Sequence, residues 1–258
     1  MRVAKHVETE SRRDVPAAGG VEPTVGYDAP IPGPARSPRD SALVLPHRVA
    51  LTFDAEHPDR PRSQPDATDR LLDVLAATGV RATFFVQGRW AEAYPTTARR
   101  IAAEGHVVGN HSFFHASLPL LSEEGLVEDV GRAEFAIRDA TGVDPHPWFR
   151  FPFGHGIDDP RVVSTIERLG YRHIGWDADS GDWEPERTAR EIEKAIVRGA
   201  TSGRTCVVLL HGWPSATVPA VAAAIDALRS RDVAFVTVDQ LADAERPRGL
   251  PADLESLP

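Results

Sequence analysis

The 258-residue chain is long enough for one sizeable core, and its single cysteine, Cys206, excludes an internal disulfide framework. A formal net charge of −9 argues against nucleic acid or an anionic membrane as partner, since both want a basic face; it says little about neutral sugars. No apolar run reaches the length of a membrane span, and the start Met1-Arg2-Val3-Ala4-Lys5-His6 lacks an apolar signal region, so the expected location is cytoplasmic.

Residues 1–46 are rich in Pro, Gly, Ala and charge, as in Pro30-Ile31-Pro32-Gly33-Pro34, and have no helical or strand period. They are expected to form a disordered arm, with docking of a partner as its alternative role. From Arg48 short apolar runs alternate with amphipathic stretches. The expected strands are Val49–Asp54, Ala82–Val86, His106–Gly109, Trp148–Phe151, His173–Trp176, Cys206–Leu210 and Ala234–Val238. Between them lie helical patterns at Thr68–Ala77, Thr96–Glu104, Pro160–Leu169 and Val218–Arg229. Leu126, Val130, Ala133 and Ile137 mark another helix face behind a Ser122 N-cap, and Thr188 opens one more. The domain boundaries are therefore 1–46 for the arm, 47–242 for the patterned domain and 243–258 for a tail. Strand–helix alternation on this scale implies a parallel α/β sheet, open or closed into a barrel. Chemistry in such folds gathers at the C-terminal strand ends, where Asp54, His111, Arg150, Asp179 and His211 all fall.

Two imidazoles stand four apart in His111-Ser112-Phe113-Phe114-His115; on a helical turn that spacing puts them on one face, suited to one cation. A third, acidic ligand is available upstream in Thr52-Phe53-Asp54-Ala55-Glu56-His57. Cys206 sits in an apolar run and reads as an inert core thiol.

Five segments stand in order: Thr52–His57, His111–His115, Arg150-Phe151-Pro152-Phe153-Gly154, Asp179-Ser180-Gly181-Asp182-Trp183 and Leu209-Leu210-His211. Together they resemble the NodB-type polysaccharide deacetylases, carbohydrate esterase family 4, over about Arg48 to Leu241. The resemblance implies a distorted (β/α) barrel of about seven parallel strands, a divalent metal (zinc first, with cobalt, nickel or manganese as alternatives) and hydrolysis of acetyl groups, N-acetyl foremost, on a carbohydrate. It implies that His111 and His115 bind the metal, Asp54 is the base, Arg150 orients that base, and His211 is the acid with Asp179 as its partner. The backbone N–H of Phe153 would face the oxyanion, and Trp183 and Leu209 would line the pocket.

The first motif departs from the resemblance. The usual form is T-F-D-D-G, and Ala55 stands where the second aspartate, a metal ligand, is expected. Glu56 is the substitute, because Asp54 and Glu56 at i and i+2 of an extended backbone point to one side. Asp54 is placed near the metal and Glu56 is the second acid; His57 reads as a loop histidine, and His155 as a residue facing substrate. Other readings stay open at this level. They are a deacetylase or deformylase of a small biosynthetic amide, metal-free amidohydrolysis as in the allantoinase-like branch, and a catalytically silent sugar-binding module.

Overall fold

The computed structural model describes residues 47–59 and 66–245. The expected N-terminal arm, and most of the tail, lie outside the described residues.

Among the described residues eight strands form one sheet, all pairing parallel. They are β1 (Arg48–Ala55), β2 (Thr83–Val86), β3 (Val107–Asn110), β4 (Trp148–Phe149), β5 (Arg172–His173), β6 (Ala178–Asp179), β7 (Thr205–His211) and β8 (Ala234–Val236). The order is β5-β4-β3-β2-β1-β7-β6. β8 lies beside the first half of β1, pairing Arg48–Ala50, while β2 pairs its second half from Thr52 to Ala55. The sheet is thus a distorted, incompletely closed barrel whose end strands are β5 and β6. The seven expected strands are all present. The eighth, β6, is two residues long and carries no period that a sequence pattern could show.

Central strands of a parallel sheet are covered on both faces, which is why β1 is an unbroken buried run from Val49 to Ala55. The covering helices are α1 (Ala67–Thr78), α2 (Gly88–Ala93), α3 (Pro95–Ala103), α4 (Glu123–Thr141), α5 (Pro160–Arg168), α6 (Ala189–Ala200), α7 (Thr217–Arg229) and α8 (Val238–Glu245). Their ends follow local chemistry. Ser122 accepts the Gly125 N–H at the start of α4, and Thr188 and Glu191 form a reciprocal capping box on α6. Asp159 caps α5 ahead of Pro160, whose missing N–H costs nothing in the first turn. The expected domain end at 242 falls inside α8, a helix the pattern did not reveal.

The larger core packs Phe53, Phe84, Leu72, Leu210 and Ile225 with the inner faces of α1, α4, α6 and α7. A smaller one, with Phe149, Phe151, Tyr171, Leu126 and Ile166, lies under β4 and β5. Cys206 is buried in β7, and burial together with the nearby Asp177 carboxylate pushes its thiol up to about 11, so it is inert as expected.

Candidate active site

The C-terminal ends of β1, β6 and β7 and the segments that follow β3 and β4 bring Asp54, Glu56, His115, Phe153, Asp179, Trp183, Leu209 and His211 to one cleft of about 400 Å³, with His111 and Arg150 buried against Asp54. Asp54 and His211 are direct neighbours in the register of β1 and β7. Ala55 turns into the large apolar core, so Asp54 and Glu56 emerge on the cleft side, as the two-residue strand period requires.

Arg150 is fully buried, not a surface ion-pairing residue. Its guanidinium donates to Asp54 Oδ1 at 2.9 Å and to the carbonyls of Ile174 and Gly175, each at 3.1 Å, and it lies 4.2 Å from the centre of the Phe85 ring. A buried charge needs that full set of partners. The Arg150 backbone carbonyl lies 2.9 Å from His111 Nδ1. Donation by Nδ1 there leaves Nε2 bare, facing Glu56 Oε2 at 3.3 Å and Asp54 Oδ2 at 3.5 Å.

His111 and His115 do converge, with ring centres 4.8 Å apart, but not on a helical turn. The segment is a loop in which Ser112 and His115 have φ of 61° and 57°. Side chains hold it there. Asn110 Oδ1 accepts from the Ser112 N–H, Ser112 Oγ from the His115 N–H, and the buried Asp129 from the N–H groups of Phe113 and Phe114. Asp129 escaped the sequence reading. Its signal was an acid on the inward face of α4, one turn after Leu126.

Glu56 sits among three imidazoles. Its Oε2 is 2.6 Å from His115 Nε2, and its Oε1 is 3.1 Å from His57 Nε2 and accepts from Trp213 Nε1 at 3.3 Å. Burial opposes charge on Glu56, yet the three imidazoles around it, His111, His115 and His57, hold its carboxyl well below the usual range. Burial pulls His115 down, while the carboxylates of Asp54 and Glu56 outweigh burial at His111 and raise it.

The partner of His211 is Asp182, not the expected Asp179. Asp182 Oδ1 lies 2.8 Å from His211 Nδ1, and Oδ2 accepts from the His211 N–H at 2.8 Å and from Thr217 Oγ1 at 2.7 Å. Asp179 instead accepts the Gly181 N–H at 2.8 Å, closing the tight turn that aims Asp182 inward; Gly181 has a φ of 67°, open to glycine without penalty. Asp179 also lines the cleft. Burial favours neutral His211, but the Asp182 carboxylate prevails and pushes it up to about 9.

Phe153, Trp183 and Leu209 line the cleft, as expected. Phe153 has a φ of 59°, and its ring centre stands 4.4 Å from that of His115. His155 faces a separate shallow groove with Ser117, not this cleft.

A family model described as polysaccharide deacetylase matches residues 44–174. The chain belongs to the polysaccharide deacetylase family. Its relatives include the peptidoglycan-N-acetylglucosamine deacetylase PgdA of Listeria monocytogenes, 32% identical over 211 residues, 82% of this chain but 42% of the relative. The chain thus spans less than half the length of that protein. A chitooligosaccharide deacetylase of Rhizobium leguminosarum bv. trifolii is 31% identical over 79% of this chain and 95% of its own. Among solved structures, a family 4 acetyl xylan esterase from Clostridium thermocellum in complex with a cobalt ion superposes with a TM-score of 0.66 at 29% identity. It covers 76% of this chain and 91% of that one.

The residues of this family member fit a divalent ion. Glu56 Oε2, His111 Nε2 and His57 Nε2 are buried and make no hydrogen bond. Carboxylate oxygen and imidazole nitrogen are the donors zinc-like ions take, and four tetrahedral donors at 2.0–2.2 Å from one ion lie roughly 3.3–3.6 Å apart. The separations from Glu56 run from 2.6 Å up to the lower edge of that range at 3.3 Å.

Proposed function

We propose that this protein is a metal-dependent hydrolase that removes an N-acetyl group from a carbohydrate. The observation that carries this reading is the pairing across one cleft: Asp54 held by Arg150 beside His211 held by Asp182, with the Glu56–histidine cluster between them. A binding module needs neither a fixed base nor a fixed acid.

Glu56, His111 and His115 would hold the ion, zinc first among candidates. Such an ion, when bound, acidifies water and polarises a carbonyl oxygen. Asp54 takes the proton of the attacking water, and Arg150 keeps its carboxylate aimed. The Phe153 N–H donates to the developing oxyanion, an interaction worth roughly 2.7–4 kcal/mol when well placed. An amine leaves only once protonated, and His211, kept charged by Asp182, gives the proton. Trp183 and Leu209 supply apolar surface for the acetyl methyl and the sugar face. The relatives' printed activities, on peptidoglycan N-acetylglucosamine and chitooligosaccharides, support an N-acetyl sugar over a small amide.

The test is acetate release, with added zinc or cobalt, from chitooligosaccharides, peptidoglycan fragments and O-acetyl xylan. Release from the N-acetyl substrates that outpaces release from xylan is expected. Silence on all three with metal bound would leave the sugar-binding alternative standing.

A further inference from the structure

His57 follows the motif position at which Ala55 removes the expected ligand, and it is placed with unusual care. Its φ is 54°, a conformation that non-glycine residues rarely adopt, and Pro58 follows it, which disfavours that conformation further. Surrounding structure must therefore impose it. The imposing group is Gln87, 2% exposed, whose Oε1 accepts the His57 N–H at 2.9 Å while its own N–H is bonded to the Ala55 carbonyl at 3.0 Å. The loop is thus tied to the end of β1 on both sides of Glu56.

The result is a ring turned to the same centre as its neighbours. The His57 and His115 rings meet edge to face with centres 4.6 Å apart. Glu56, His57 and His115 each offer a donor atom, and these atoms all lie within 4.8 Å of one another. His57 Nε2 is buried and, although 3.1 Å from Glu56 Oε1, makes no hydrogen bond with it. A strained, anchored histidine whose buried nitrogen is left without a hydrogen bond is poorly explained as a carboxylate partner and well explained as a ligand.

We propose that His57 is a direct ligand of the metal, so that the lost aspartate at position 55 is replaced by two residues, Glu56 and His57. The inference rests on the hydrolase reading above and deepens it. The donor set becomes one carboxylate and three imidazoles, His57, His111 and His115. Imidazole-rich sites favour zinc, cobalt, nickel and copper, whereas magnesium, calcium and manganese prefer oxygen. This chain should therefore select zinc and cobalt over manganese.

The test uses the full chain, zinc competition against a chromogenic chelator, the visible spectrum of the cobalt-loaded protein and X-ray absorption of the zinc-loaded protein. Wild type, His57→Ala, His57→Gln and His115→Ala are compared. Glutamine preserves a hydrogen-bonding side chain beside Glu56 but is a poor zinc ligand. The expected result is three imidazoles on zinc in wild type and two in His57→Gln, a zinc affinity lower by about 10- to 100-fold in both His57 variants, and a shifted cobalt band. Wild-type affinity and spectrum in His57→Gln, or two imidazoles in wild type, would overturn the assignment while leaving the hydrolase reading intact. No zinc binding by wild type would overturn both. His57→Gln carries the test should His57→Ala fail to fold.

Discussion

Among the described residues two groups of carboxylate and imidazole side chains stand out, and they differ in kind. Glu56, His57 and His115 lie at the C-terminal end of the sheet; Glu134, Asp144 and His146 lie at the far end of α4. In the second group every charge has an answer. Arg138 pairs with both Glu134 and Asp144, and His146 directs one ring nitrogen to Asp144 at 2.7 Å and the other to the Leu169 carbonyl at 3.0 Å. It is also half open to water: the Asp144 side chain is 48% exposed against 4% for Glu56. The first group is paired with no arginine among the described residues and keeps buried donor atoms without hydrogen bonds. Donor identity alone does not make a site. Burial with unspent bonding capacity does, because that is what an ion would relieve.

That contrast can be broken or sharpened by substitution. The largest effect is expected at His115→Ala, which should lower zinc affinity at least ~100-fold in chelator competition, with His146→Ala unchanged. Equal losses in the two variants would erase the distinction. Next, His211→Ala should cut kcat by about 10²- to 10⁴-fold with little change in KM. Asp182→Asn should follow it in direction, and Asp179→Asn should do much less; steady-state kinetics of all three decide between the two aspartates. A smaller effect concerns pH. Burial, reinforced by the Arg150 charge, depresses His173 to about 4, below its ordinary 6.5. The stability this contributes is present above pH 6.5 and is lost as pH falls toward 4, because the unfolded chain binds the proton first. Denaturant midpoints should show about 1–2 kcal/mol less stability at pH 5 than at pH 7 from this residue, a slope that His173→Phe removes. The smallest effect is Arg138→Met, expected to cost under about 1 kcal/mol in thermal unfolding, since its ion pairs are half exposed.

The legible parts of the molecule were those set by a period. β1 and β7 are long enough to show one, and with them came Asp54 and His211 at their ends. The helix caps at Ser122 and Thr188 were equally readable because they act within four residues. What escaped was governed by single turns. The two aspartates of Asp179–Trp183 are chemically alike, and only the backbone reversal at Gly181 decides which meets the imidazole. His111 and His115 have helical spacing, but two residues in the left-handed region bring them together, and no periodicity foretells that. Glu56 could be argued from strand alternation; His57 could not, since its position depends on Gln87, thirty residues away.

Arg150 has a consequence of its own. Its guanidinium fixes Asp54, and its peptide carbonyl engages His111. One residue is therefore a cross-tie between the proton-handling side of the cleft and the ion-holding side. Arg150→Met would sever the side-chain tie and spare the peptide one, so Asp54 would be freed while His111 stayed in place. A displacement of the β4 terminus, by contrast, would disturb both at once. The two halves of the machinery share a single anchor, and the backbone of β4 sets their spacing.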